Sequence, residues 1–153
     1  AARAGAIDRA RALWPTLARD DARGRRYLDG RGLTADALIA AGARTCTTAK
    51  ELASQCDVVI LCVTGTPQVE AVLTGDDGVL QGLRAGTTII DCSTAVPSST
   101  EKLAQLVVAK GGLFLDSPMT RTPKEAAEGR LNLLVGGDVA LFESRASHEA
   151  GRR

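Results

Sequence analysis

No apolar run in this 153-residue chain approaches the length of a membrane span, and no signal peptide opens it. The formal net charge is only +1, which provides no general electrostatic footprint for nucleic acid or a membrane surface. Apolar residues at 44% and charged residues at 24% exclude a disordered composition. The four cysteines, Cys46, Cys56, Cys62 and Cys92, lack zinc-ligand spacing, so no metal site is expected. Three of them stand in or beside apolar strand-like runs. They read as reduced, small, buried side chains of a cytoplasmic protein. The single histidine, His148, stands in a polar tail and reads as solvated rather than catalytic.

A Gly-x-Gly-x-x-Gly turn is also missing. Gly30-Arg31-Gly32 has the opening spacing, but Ala35 stands where the third glycine belongs and no apolar strand precedes it. Residues 1–34 are rich in Arg and Ala, with Ile7 their only β-branched aliphatic residue. A helix from Ile7 to Leu17 would be interrupted by Pro15. This segment reads as atypical, as an altered reading frame or a recombined start would leave it. Residues 144–153 form a polar, arginine-rich tail.

Between these ends, residues 35–143 alternate in kind. Thr47 to Cys56 reads as a helix with Thr48-x-x-Glu51 as a capping box. Asp57 to Val63 is nearly all apolar, as a parallel strand covered on both faces would be. Pro67 opens a helix carrying Val69, Val72 and Leu73, and Gly75 to Gly78 ends it. Thr87 to Cys92 is a β-branched strand. Ser98-x-x-Glu101, after Pro97, reads as a second capping box, for a helix with Leu103, Leu106 and Val107 that stops at Gly111-Gly112. Leu113 to Leu115, Thr122 to Glu128 and Leu131 to Val135 read as strand, helix and a fourth strand. Such alternation implies an α/β fold: a Rossmann-like doubly wound parallel sheet with an incomplete first βαβ unit.

Four collinear pieces resemble the cofactor-binding domain of the β-hydroxyacid dehydrogenases, the group of 3-hydroxyisobutyrate dehydrogenase and 6-phosphogluconate dehydrogenase. They are Gln55-Cys56-Asp57-Val58-Val59-Ile60, Ile90-Asp91-Cys92-Ser93-Thr94 with Pro97, Asp116-Ser117-Pro118, and Leu133-Leu134-Val135-Gly136-Gly137-Asp138. The Ala41-Gly42-Ala43 triplet also falls near the family's own. The resemblance implies an oxidoreductase that transfers hydride between a β-hydroxyacid and NAD or NADP. It assigns cofactor contacts to Val63, Thr64, Ser93 and Thr94, whose hydroxyls follow two strands into the crevice where open α/β sheets bind ligands. The bland alternative is turn chemistry, since Ser and Thr before a helix commonly cap backbone amides.

The resemblance makes the third loop substrate-facing and implies Met119, Thr120, Arg121 and Thr122 as substrate contacts. The family's usual residues there are Val-Ser-Gly-Gly, so Arg121 stands at a glycine position. A guanidinium fork suits a carboxylate, sulfonate or phosphate, which implies a small anionic hydroxyacid substrate; otherwise Arg121 is a solvated loop residue. Lys124 does not correspond to the family's catalytic lysine, which lies in a later Gly-x-x-x-Lys-x-x-x-Asn pattern that nothing here matches. No catalytic residue is therefore assigned, and the chain alone is expected to be inactive. It reads as a fragment of such a dehydrogenase or as a non-catalytic α/β module. A sheet without its first unit would expose a strand edge, so a homo-oligomer is expected.

Overall fold

The computed structural model describes residues 39–40 and 42–150. The atypical 1–34 segment, with its Ile7–Leu17 helix and Gly30-Arg31-Gly32, lies outside the described residues, as does Ala41.

Helix α1 (Ala49–Gln55) starts where Thr48 caps it, the threonine oxygen accepting from the Glu51 amide at 3.0 Å. The expected reciprocal half of the box falls one residue earlier. The Glu51 carboxylate accepts from the amide and hydroxyl of Thr47, at 2.7 and 2.8 Å, and those bonds hold its carboxyl below the usual glutamate range. Strand β1 (Val58–Leu61) is shorter than the apolar run that encodes it. Helix α2 (Thr66–Thr74) has proline in its first turn, where a missing amide proton costs nothing. It buries Val69 and Leu73, one turn apart.

A four-residue helix, α3 (Val79–Gly82), was not legible in the sequence; it buries Val79 and Leu80 before strand β2 (Thr88–Asp91). Helix α4 (Pro97–Ala109) corrects the second capping box. Pro97 is already helical and Val96 caps the helix with no side-chain bond, so Ser98 lies inside the first turn. Its buried residues are Leu103 and Val107, whereas Leu106 is 47% exposed. Gly111 ends α4 with φ +80°, a left-handed conformation that side chains resist, and strand β3 (Leu113–Asp116) follows.

Strands β1, β2 and β3 are parallel and in register, with Leu61 opposite Asp91 and Asp91 opposite Asp116. The expected fourth parallel strand is overturned. Strand β4 (Met119–Thr120) and strand β5 (Asn132–Leu133) form their own antiparallel pair, and all residues from Leu131 to Val135 are exposed. Strand β6 (Gly136–Gly137) joins the main sheet, antiparallel to β3, in the order β1-β2-β3-β6. The chain does not cross back over the sheet: helix α5 (Pro123–Ala127) has only five residues and stands between β4 and β5, which pair with each other, so the segment turns back on itself as an antiparallel excursion. Helix α6 (Val139–Ala150) extends into the expected polar tail, whose last three residues lie outside the described residues.

One hydrophobic cluster holds α1 to α4 against Val59, Leu61, Ile89 and Phe114, all on one face of the sheet. On the opposite face Ile60 is 37% exposed, so the expected cover on both faces of β1 is not met by the described elements. Among the described residues, β1 pairs only with β2. The cysteines are all free thiols. Cys46 is buried as expected, Cys56 and Cys92 are half-buried, and Cys62 is exposed because it stands past the end of β1 on the open face. Among the described residues, no helix is long and apolar enough to cross a membrane.

Candidate functional site

The loops after β1 and β2 meet at the carboxyl end of the sheet, where an open α/β fold leaves its crevice. Ser93 joins them. Its side chain is buried, and its Oγ accepts from the Val63 amide at 2.9 Å while its own amide donates to Asp91 Oδ1 at 2.9 Å. Thr66 Oγ1, at the start of α2, accepts from the Val96 amide at 2.9 Å, and the Ser99 hydroxyl donates to Glu70 at 2.6 Å. Val63 is half-buried, and Thr64 and Thr94 are exposed. The four residues expected at a cofactor are thus brought to one place in two roles. Ser93 fixes the loops to each other, while Thr64 and Thr94 are left exposed beside it.

Asp91 carries the geometry, and the sequence marks it only as part of a motif. It is 1% exposed, its Oδ1 holds the Ser93 amide, and its Oδ2 is buried with no partner. Its carbonyl accepts from the amide of Ser117 at 2.7 Å, which ties in the third loop. Asp116 stands opposite it on β3, and its carboxyl is held above the usual aspartate range by burial and then by the Asp91 charge. A charged residue ending an apolar strand was the available signal.

In the third loop Met119 is exposed and Thr120 half-buried. Thr122 caps α5: its Oγ1 accepts from the Lys124 amide at 3.3 Å, and its amide donates to Glu125 at 3.1 Å. Lys124 is exposed in the first turn of α5. Arg121, at φ +84°, is the one non-glycine residue with positive φ among the described residues. With the Asn132 amide oriented to satisfy its neighbours, its oxygen accepts from Arg121 Nε at 3.1 Å and Nη2 at 3.2 Å. Asn132 lies opposite Thr120 in the β4–β5 pair, so the hairpin holds the guanidinium. Asn132 gave no signal in the sequence. Among the described residues no cluster of three or more His, Cys, Asp or Glu residues could hold a metal.

The sequence pattern of the NAD binding domain of 6-phosphogluconate dehydrogenase matches residues 28–147. The Escherichia coli 2-hydroxy-3-oxopropionate reductase is 39% identical over 112 residues, which cover 73% of this chain and 38% of the relative. The human cytokine-like nuclear factor N-PAC is 36% identical over 112 residues, covering 73% of this chain and 20% of that protein. The solved Mycobacterium tuberculosis 3-hydroxyisobutyrate dehydrogenase, described with L-serine, superposes with a TM-score of 0.64 at 29% identity. The match covers 71% of this chain and 36% of that structure. The chain thus spans less than two-fifths of the length of each of these three proteins.

Proposed function

Because the chain belongs to the family of the NAD binding domain of 6-phosphogluconate dehydrogenase, we propose that it forms the nicotinamide side of an NAD(P) site. The oxidoreductase it serves acts on a small anionic β-hydroxyacid. The family's cofactor is NAD or NADP, which accepts or delivers the hydride when bound. The observation that supports the reading most is the junction of the two crevice loops, Val63 amide to Ser93 hydroxyl at 2.9 Å. With Ser93 committed to the backbone, Val63 and Thr64 on one side and Thr94 on the other are held at a set spacing. Their groups orient the cofactor instead of reacting with it. Four free thiols accord with a cytoplasmic location.

Calorimetric titration with NAD⁺ and NADP⁺, on a chain shown to be folded by circular dichroism, tests this reading. Binding with a micromolar constant supports it. No heat from a folded chain favours the second reading, a non-catalytic α/β module. That reading draws support from the relative named as a nuclear factor rather than for a reaction.

In this proposal Met119, Thr120, Arg121 and Thr122 line the substrate side, and Arg121 reads the anion. Asn132 pre-orients the guanidinium, so little is lost on binding a carboxylate, sulfonate or phosphate. In an assembled enzyme bearing this domain, Arg121→Ala should raise KM for an anionic hydroxyacid roughly 10- to 100-fold, as losing a charge-assisted hydrogen bond does. The change in kcat should be small. Arg121→Gly should raise KM equally but melt higher than Arg121→Ala, because glycine relieves a left-handed strain of roughly 1–2 kcal/mol. An unchanged KM in both variants would leave Arg121 a solvated loop residue.

A further inference from the structure

Two thiols at the crevice mouth have no part in the reading above. Strands β1 and β2 run in register to Leu61 opposite Asp91, so the next residues along them are Cys62 and Cys92. Two bonds bracket that step. The Cys92 amide donates to the Leu61 carbonyl at 2.7 Å, and the Val63 amide donates to Ser93 Oγ at 2.9 Å. The backbones therefore stay together across Cys62 and Cys92, about one strand spacing apart (~4.8 Å). Matched residues of a parallel pair project to the same face, here the face of Ile60 and Ile90, opposite the hydrophobic cluster. Separations of roughly 4.4–6.8 Å between Cα atoms close a disulfide. Cys62 is exposed and Cys92 half-buried, and both are free.

We propose that Cys62 and Cys92 are a reversible dithiol–disulfide site that takes low-molecular-weight disulfides as its oxidant. The exposed Cys62 thiolate attacks one sulfur of the small disulfide, forming a mixed disulfide and expelling one small thiolate. The Cys92 thiolate then attacks the Cys62 sulfur, closing the protein disulfide and expelling the second. The two protein thiols lose two protons and two electrons. The small disulfide gains both and leaves as two thiols. Burial, then the neighbouring Cys62, Asp91 and Asp116, pushes the Cys92 thiol up to about 11; burial and Asp91 raise Cys62 as well. Both steps are therefore slow at neutral pH and quicken as pH rises. The bond would tie the loop after β1 to the loop after β2.

The test is oxidation of the full chain with oxidised glutathione at mildly alkaline pH, followed by acid quench, digestion without reduction and mass spectrometry. The expected result is a linked peptide pair containing Cys62 and Cys92, with no glutathione retained. In Cys92→Ser, glutathione should stay on Cys62. Retention of glutathione on Cys62 in the unaltered chain, a bridge to Cys46 or Cys56, or no loss of thiols would each overturn the proposal. The readout is thiol chemistry alone, so its failure is separate from a failure of the dinucleotide reading.

Discussion

Gly82→Ala should lower the melting temperature by about 10 °C, whereas Gly65→Ala should shift it by no more than about 3 °C. A Cβ built on Gly82 would stand 2.0 Å from the carbonyl oxygen of Lys50 and 2.8 Å from its carbonyl carbon. That neighbour is the backbone of α1 and cannot swing aside as a side chain would. The Lys50 amide is also held by the Asp77 carbonyl at 2.8 Å, so α1 cannot withdraw without breaking the loop that leads into α3. Behind the contact lie Leu52 and Ala53 of α1 and Val79 and Leu80 of α3, all in one cluster. Forcing the helices apart opens that core, and overpacking of this kind costs about 3 kcal/mol at the upper end of its usual range. Gly65 meets only the Gln68 Oε1 at 3.6 Å, in an extended backbone that any residue adopts. Its replacement loses roughly 0.5 kcal/mol of helix-cap preference. Thermal melts of the two variants decide the matter. Equal melting temperatures would mean that α1 and α3 can separate freely.

The three parallel strands were legible because each is an apolar or β-branched run matched to a buried site: Val59 and Leu61, Ile89, Phe114. The helices were legible where two buried residues recur one turn apart, as Val69 and Leu73 do, and Leu103 and Val107. Helix α3 was not, since four residues cannot display a period. The run from Leu131 to Val135 misled because its apolarity is real but its side chains are exposed, and the pair that joins the sheet, Gly136-Gly137, carries no apolar signature. Leu106 misled in the same way, one step outside the buried stripe of α4. At the crevice, Ser93 and its neighbours were readable from their place after strands. The bond that gives Ser93 its role spans thirty residues and depends on the register of β1 and β2. Asn132 reaches Arg121 only because the chain folds back antiparallel, which its sequence does not announce.

Asp91 offers the sharper contrast, between removing a side chain and removing only its charge. Asp91→Ala leaves the Ser93 amide without its acceptor in a buried place and opens a small void, which should cost about 2–3 kcal/mol. The loop that presents Thr94 then loses its anchor. Asp91→Asn keeps the shape and the Oδ1 acceptor, and it replaces the partnerless Oδ2 with an amide donor. Asp116, opposite on β3, stands on the same face to accept from it. The variant should therefore fold as well as the unaltered protein or better. Its effect should appear in the titration of Asp116. Burial, the larger cause of that raised carboxyl pKa, remains, but the Asp91 charge is gone, so the value should move down without reaching the ordinary range. The sign for stability follows. A carboxyl held high in the folded state adds stability that is complete below its unfolded value and lost as pH rises through the folded one. Asp91→Asn narrows that window, so its stability relative to the unaltered chain should increase as pH rises across it. Chemical-shift titration of the Asp116 carboxyl and urea melts at several acidic pH values measure both effects. An Asp116 that titrates identically in the two proteins would show that the two carboxyl groups, though in register, do not sense each other.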